Sequence, residues 1–359
     1  MKHVVIIGAG FGGIYSAKKL IGKVKLTLID PNDFFMFTPL LHEVISGKLD
    51  KKNITIPIKD ILKDKNFNFI KDKVKKVNTK TKTVFLDDQE IKYDYVVLAY
   101  GSKTNYYGVP GQDYTIQIKE LSHGNLLNSK LKNMINDIVI IGGGATGCEV
   151  AGEVSDMFLN QEKKPNLTLI NAGKTILPML SKKLQDKAQL ILQKKGYEIK
   201  NECVVKELKK DKIITNQENY KTDVTIWAGG VQPNLIETIP ELNGKRDYIV
   251  VDETLQVKEH NNVFAIGDIA YIEQKPVPGL AQVAMQESNI VAKNIMNSID
   301  KKPLKKFKYH DKGTMISLGK NKLVGEINLF GRKIKISGFI FWNIKRLIYF
   351  WYIFVLRYF

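Results

Sequence analysis

Residues 4–13, VVIIGAGFGG, return as residues 138–147, IVIIGGGATG, at an offset of 134 residues. Of the 16 positions from Val5 to Leu20, seven are identical to those from Val139 to Val154. In each copy a run of branched apolar residues reads as a parallel strand buried on both faces. The run ends in glycines at G-x-G-x-x-G spacing, Gly8, Gly10 and Gly13 and then Gly142, Gly144 and Gly147. The first glycine of such a set permits the tight turn, the second admits a pyrophosphate to the backbone, and the third lets strand and helix pack closely. The phosphates would sit at the helix N-terminus, where free N–H groups and the helix dipole favour anions. A plain βαβ unit would satisfy the glycines alone, so the context matters.

That context is also duplicated. LTLID, residues 26–30, ends in an acid 17 residues after Gly13, placed for the hydroxyls of an adenosine ribose. LTLIN, residues 167–171, follows the second copy and ends in Asn171. YVVLAYG, residues 95–101, ending on Gly101, is echoed by DVTIWAGG, residues 223–230, with Gly229 near its end. Two nucleotide folds in one chain imply two dinucleotides.

A length of 359 residues suits two or three domains, and 44% apolar residues suffice for real cores. Cys148 and Cys203 are the two cysteines, with no CxxC, which fits a reducing compartment rather than a disulfide scaffold. No secretory leader and no metal site are expected. The net charge is +18, yet only Arg246, Arg332, Arg346 and Arg357 are arginines, and the lysines are scattered. Nucleic-acid grips generally use arginine forks as well as lysine charge, so no nucleic-acid partner is expected. A solvated surface or attraction to an anionic membrane remains.

Between the repeats lie further signals. Residues 31–47, PNDFFMFTPLLHEVISG, are too apolar for a solvent loop, and would line a flat ring system or join the core. Residues 71–93 and 204–222 read as small antiparallel meanders. NVFAIGDIA, residues 262–270, is a further strand that places Asp268 at the carboxyl end of a sheet, where open α/β folds bind ligands. A helix over residues 280–298 carries Gln282 and Gln286 on one face, either solvated or turned to a ligand. Residues 338–359 hold ten of the chain's 34 aromatics. Their longest uncharged run after Lys345 and Arg346 is ten residues, roughly 15 Å of helix, too short to span a bilayer core. An in-plane anchor, with rings and basic residues at headgroup level, is expected; a dimer or core helix is the alternative.

These residues together resemble the type II, single-subunit NADH:quinone dehydrogenases of the two-dinucleotide flavoprotein group. The resemblance runs nearly end to end, on GAGFGG with LTLID, FTPLLHEV, YVVLAYGS, GVPG, GGGATGCEVAGE, WAGGVQPN, VFAIGDIA, AQVAMQ, YHDKGTMISLG at 309–319 and the aromatic tail. It implies an α/β chain with two Rossmann-like dinucleotide-binding domains, the second inserted in the first, and a C-terminal membrane-anchoring segment. The expected division is 1–110 with 240–302 for FAD, 111–239 for NAD(P)H, and 303–359 with a membrane-associating tail from about 338. Gly8, Gly10, Gly13, Asp30, Pro39, Gly101, Asp268, Ala281 and Gln282 would hold FAD. Gly142, Gly144, Gly147, Glu149, Asn171 and Gly229 would take NADH. Glu149 would stand beside the nicotinamide, with Gln282 and Gln286 at the quinone end of the flavin.

The implied reaction is hydride transfer from NADH to FAD and then two electrons to a membrane quinone, without proton pumping. The enzyme would sit peripherally on the cytoplasmic face of the cell membrane, against anionic lipid, with a homodimer open. Three departures stand out. Asn171 replaces the usual acid, so NADPH is an alternative to NADH, Tyr100 replaces a small residue, and the chain stops where relatives continue with a second tail helix. Rivals are a sulfide:quinone oxidoreductase, which needs poised cysteines beside the flavin, and a soluble NAD(P)H-dependent reductase.

Overall fold

The computed structural model describes residues 1–63, 67–242, 244–329 and 331–358; Phe359, the last aromatic of the tail, lies outside them. Two five-stranded parallel sheets carry the chain. In the first, the order is Val263–Ala265, Tyr95–Leu98, His3–Ile7, Lys25–Asp30, Phe67–Lys71. In the second it is Thr115–Gln117, Val224–Trp227, Asp137–Ile141, Asn166–Ile170, Tyr197–Lys200. The repeated strand is central in both, because its Val and Ile side chains are apolar on both faces. Val4, Val5 and Ile6, like Ile138 and Ile140, are fully enclosed.

The sheets differ in where the outer strand comes from. The second takes it from just upstream, at Thr115–Gln117, and the first from far downstream, at Val263–Ala265. Both expected meanders form, at residues 76–92 and 205–221. The two connections between the units also pair: Ser102–Thr104 runs antiparallel to Val231–Pro233, and Glu237–Ile239 joins the first meander beside Lys76–Asn78.

Within residues 31–47, Phe35, Phe37 and residues 40–45 are buried. Phe34–Met36 pairs with Thr55–Pro57, and Phe35 is fully buried. Phe11 stacks edge-on against Phe35 and Phe37 at 5.1 and 5.5 Å, and Phe37 in turn against Tyr349 of the tail at 5.3 Å. The helix Ala281–Ile299 packs along Phe11–Leu20, the helix after the first glycine turn.

A three-stranded antiparallel sheet, Gly313–Ser317, Leu323–Leu329 and Arg332–Ser337, leads into the tail helix Phe339–Tyr358. At 20 residues this helix is long and apolar enough to cross a membrane by length and composition. The uncharged run is only ten residues because Lys345 and Arg346 interrupt the helix in sequence. Folded, Lys345 turns inward at 3% exposed and Arg346 stays half-buried, while Phe339, Ile340, Leu347, Trp351, Phe354 and Tyr358 face outward. The exposed face is thus continuously apolar. A spanning position would pull Lys345 from its buried partner, so the helix is built to lie against the protein.

Candidate active site

The two glycine turns superpose in their logic, position by position. Gly8 has φ +101° and Gly142 φ +122°, and a Cβ would come within 2.4 Å of Ala99 O in the first and 2.2 Å of Ala228 O in the second. At the third position the space alone excludes a side chain, 1.8 Å from Gly8 O at Gly13 and 1.9 Å from Gly142 O at Gly147. Gly10 and Gly144 are the reverse case, with nothing within 4 Å of a Cβ. Both cap their helices in extended conformation with no side-chain cap. The first N–H groups of each helix therefore lack a protein side-chain acceptor, beside an open approach suited to a phosphate.

The strand ends next to these turns differ. Asp30 Oδ2 accepts from Ala9 N at 2.7 Å and Oδ1 from Asn32 N at 2.8 Å; burial lifts the carboxyl above its ordinary pKa despite these bonds. Asn171 is buried, and its amide donates to Gly173 O at 2.9 Å and Asn201 Oδ1 at 2.8 Å. Both amide hydrogens are spent on the fold, and Oδ1 lies toward Gly143 of the glycine turn. Asn171 thus offers an acceptor, as Asp30 does. Lys174 is exposed.

Gly267, Asp268, Gly279, Leu280 and Glu287 line one cleft at the carboxyl end of the first sheet. Ser102 Oγ donates to Asp268 Oδ2 at 2.5 Å, and Gly101 O accepts from Asn234 N at 3.0 Å. Ala281 opens the helix beside this cleft. Gln282 and Gln286 lie farther along it, half-buried, and both hold residues 310–313. Gln286 exchanges hydrogen bonds with the backbone of His310, 2.9 Å each way, and Gln282 bonds Gly313 O at 3.1 Å and Lys312 N at 3.3 Å. Pro39 is half-buried in the turn Thr38–Leu40. Gly229 O accepts from the Tyr107 hydroxyl at 3.2 Å.

Glu149, one turn into the second glycine-turn helix, is the meeting point of three units. Its Oε1 accepts from Lys345 Nζ at 2.5 Å and Ser317 N at 3.3 Å, and Oε2 lies 3.8 Å from His42 Nδ1. Burial pushes the Glu149 carboxyl up, but Lys345, then His42, outweigh it and hold it below the usual range. Burial likewise pulls the Lys345 ammonium down while Glu149 holds it above its ordinary value. The neighbouring Arg346 lies 3.5 Å from Glu43 and stacks over Trp342, whose indole N–H donates to Ser317 Oγ at 3.1 Å.

The sequence reading missed Lys345, His42, Ser317 and Ser102 as site residues. For Lys345 a signal was present: a Lys-Arg pair inside an aromatic helix needs inward partners. The cysteines are buried apart, Cys148 against Gly143 O and Cys203 in the loop before Val205–Leu208. Burial raises the Cys148 thiol far from thiolate, the opposite of what sulfur chemistry needs.

The family model described as pyridine nucleotide-disulphide oxidoreductase matches residues 2–288. A type II NADH:quinone oxidoreductase of Staphylococcus aureus is 30% identical over 93% of this chain and 91% of its own. Among solved structures, NDH2 from Plasmodium falciparum in complex with NADH has a TM-score of 0.87 at 21% identity, over 99% of this chain and 97% of that one. The sulfide:quinone oxidoreductase of Aquifex aeolicus follows at 0.85 and 22%, over 99% and 92%, so the fold does not separate these two chemistries. The identity of 30% over nearly the whole chain does: this chain belongs to the type II NADH:quinone oxidoreductases, within the broader pyridine nucleotide-disulphide oxidoreductase family.

Proposed function

We propose that the chain binds FAD at its first glycine turn and NADH at its second, and passes two electrons from NADH to a membrane quinone without moving protons across the membrane. The observation that carries this reading is the Glu149–Lys345 contact, which ties the helix with the exposed apolar face to the start of the second glycine-turn helix. A reductase of soluble partners has no need for such a face.

The flavin, when bound, supplies hydride acceptance and two-electron release. Gly8, Gly10, Gly13, Asp30, Pro39, Gly101, Asp268, Ala281 and Gln282 would hold it; Gly142, Gly144, Gly147, Glu149, Asn171 and Gly229 would hold NADH. The uncapped helix starts take the phosphates. Asn171 Oδ1 suits a ribose hydroxyl, which favours NADH over NADPH. Glu149 keeps a fixed negative charge at the nicotinamide end. Gln282 and Gln286 fix residues 310–313 beside the mouth a quinone would use. The domain division of 1–110 with 240–302, 111–239 and 303–359 follows, with the return crossing a few residues earlier, since Glu237–Ile239 already pairs in the first meander. Arg332, Lys333 and Lys335, exposed in the strand before the tail, suit anionic lipid on the cytoplasmic face, where NADH is available.

The test is anaerobic mixing of the purified yellow protein with NADH, followed by a short-chain quinone. Flavin bleaching and then reoxidation is expected, with slower bleaching by NADPH. Bleaching by sulfide but by neither coenzyme would overturn the reading.

A further inference from the structure

Lys119 belongs to the connection that leaves the second sheet's outer strand, Thr115–Gln117, yet it reaches back into the first unit. Its ammonium donates to Ser102 Oγ at 2.7 Å and stands 3.9 Å from Asp268 Oδ2. Ser102 Oγ donates to the same carboxylate oxygen, so the three side chains form one chain of contacts across the unit boundary. An ammonium has three donors, and Ser102 takes one of Lys119's. Burial lowers the Lys119 pKa, with Asp268 and then Glu120 opposing. On the other side of the Gly267 turn, Glu287 is 1% exposed and accepts from Gly267 N at 2.7 Å. Burial, with Asp268 adding to it, pushes this carboxyl up to about 7. The cleft end at Asp268 therefore gathers two carboxyl groups, with the partly exposed Lys119 ammonium beside one of them.

We propose that Lys119 is a positioning residue for the redox reaction, whose ammonium offsets Asp268 and Glu287 and so raises the reduction potential of the flavin held in this cleft. The inference rests on FAD occupying the first unit. A reduced flavin carries more negative charge than an oxidised one, so a nearby cation favours reduction and a nearby carboxylate opposes it. Because Lys119 is delivered from the second unit, the potential also depends on how the NADH unit is seated on the first.

The experiment is equilibrium redox titration of the purified flavoprotein at pH 8. Lys119→Met is expected to shift the equilibrium against reduction about tenfold, or about 30 mV for a two-electron couple. Lys119→Gln, which keeps a donor for Ser102 and loses the charge, should shift it in the same direction. Lys119→Arg should restore the wild-type value. Glu287→Gln, which removes a carboxylate, should move it the opposite way. Wild-type potentials in both neutral Lys119 variants would overturn the proposal. Loss of flavin from both, with retention in Lys119→Arg, would also overturn it, making the lysine a structural bridge. A wild-type protein purified without any flavin would instead sink the FAD assignment itself.

Discussion

Where the first glycine-turn helix carries Tyr15, Lys19 and, just past its end, Gly22, the second carries Glu149, Glu153 and Asp156 at the same offset. The first helix buries Ile14, Ala17 and Leu20 and packs along Ala281–Ile299 within its own unit. On the second, each acid meets a lysine from another element. Glu149 meets Lys345 of the tail, Glu153 meets Lys48 of the first unit at 2.8 Å, and Asp156 meets Lys48 and Lys195. Apolar packing tolerates small shifts because it has no direction. A buried ion pair does not, since separating it leaves an uncompensated charge. The first helix is thereby held within its own unit by apolar packing, and the second is fixed to its surroundings by charge.

The shared glycine frame gives the largest effects. Gly13→Ala forces a Cβ against Gly8 O, and the protein is expected to purify colourless. Gly147→Ala makes the same clash in the other turn; it should keep its flavin and lose NADH affinity by roughly 100-fold, about 2–3 kcal/mol. Stopped-flow bleaching and the visible spectrum read both, and a colourless Gly147→Ala would reverse the assignment of the two turns.

The charge docking comes next. Lys345→Met leaves Glu149 buried without its partner and should lower stability by about 3–5 kcal/mol in chemical denaturation. The double variant Glu149→Gln, Lys345→Met should recover most of it. Glu149 is depressed when folded, so its contribution is present above the ordinary carboxylate pKa and lost as pH falls through the lower folded value. A Lys345→Met chain should therefore lose this acid sensitivity. Equal stability in single and double variants would break the contrast between the units.

The smallest effect separates the strand ends. Asn171→Asp adds a charge where the first unit has Asp30, and should weaken NADPH relative to NADH by roughly tenfold, about 1.4 kcal/mol. An unchanged coenzyme ratio would show that discrimination lies elsewhere.

What could be read from the chain depends on distance along it. The glycine turns, the strands before them and Asp268 at its strand end all lie within a few residues of their cause, so spacing alone placed them. The Glu149–Lys345 pair joins residues 196 apart, and no local pattern points from one to the other. Gln282 and Gln286 were legible as one helical face, but their hold on residues 310–313 depends on how a later strand returns. The tail was read by counting charges; which way Lys345 faced was decided by a carboxylate on another unit.

The interlocked strand order also governs how the protein emerges during synthesis. Tyr95–Leu98 is enclosed in the finished first sheet, yet one of its edges waits for Val263–Ala265. The roughly 165 residues between them take on the order of ten to thirty seconds to translate, and the whole second unit is made in that interval. A nascent chain thus presents a bare, β-branched edge beside a complete neighbour, the kind of edge that invites mispairing. Placing the second unit's outer strand upstream lets that unit close early and withdraw its own edges while the first still waits.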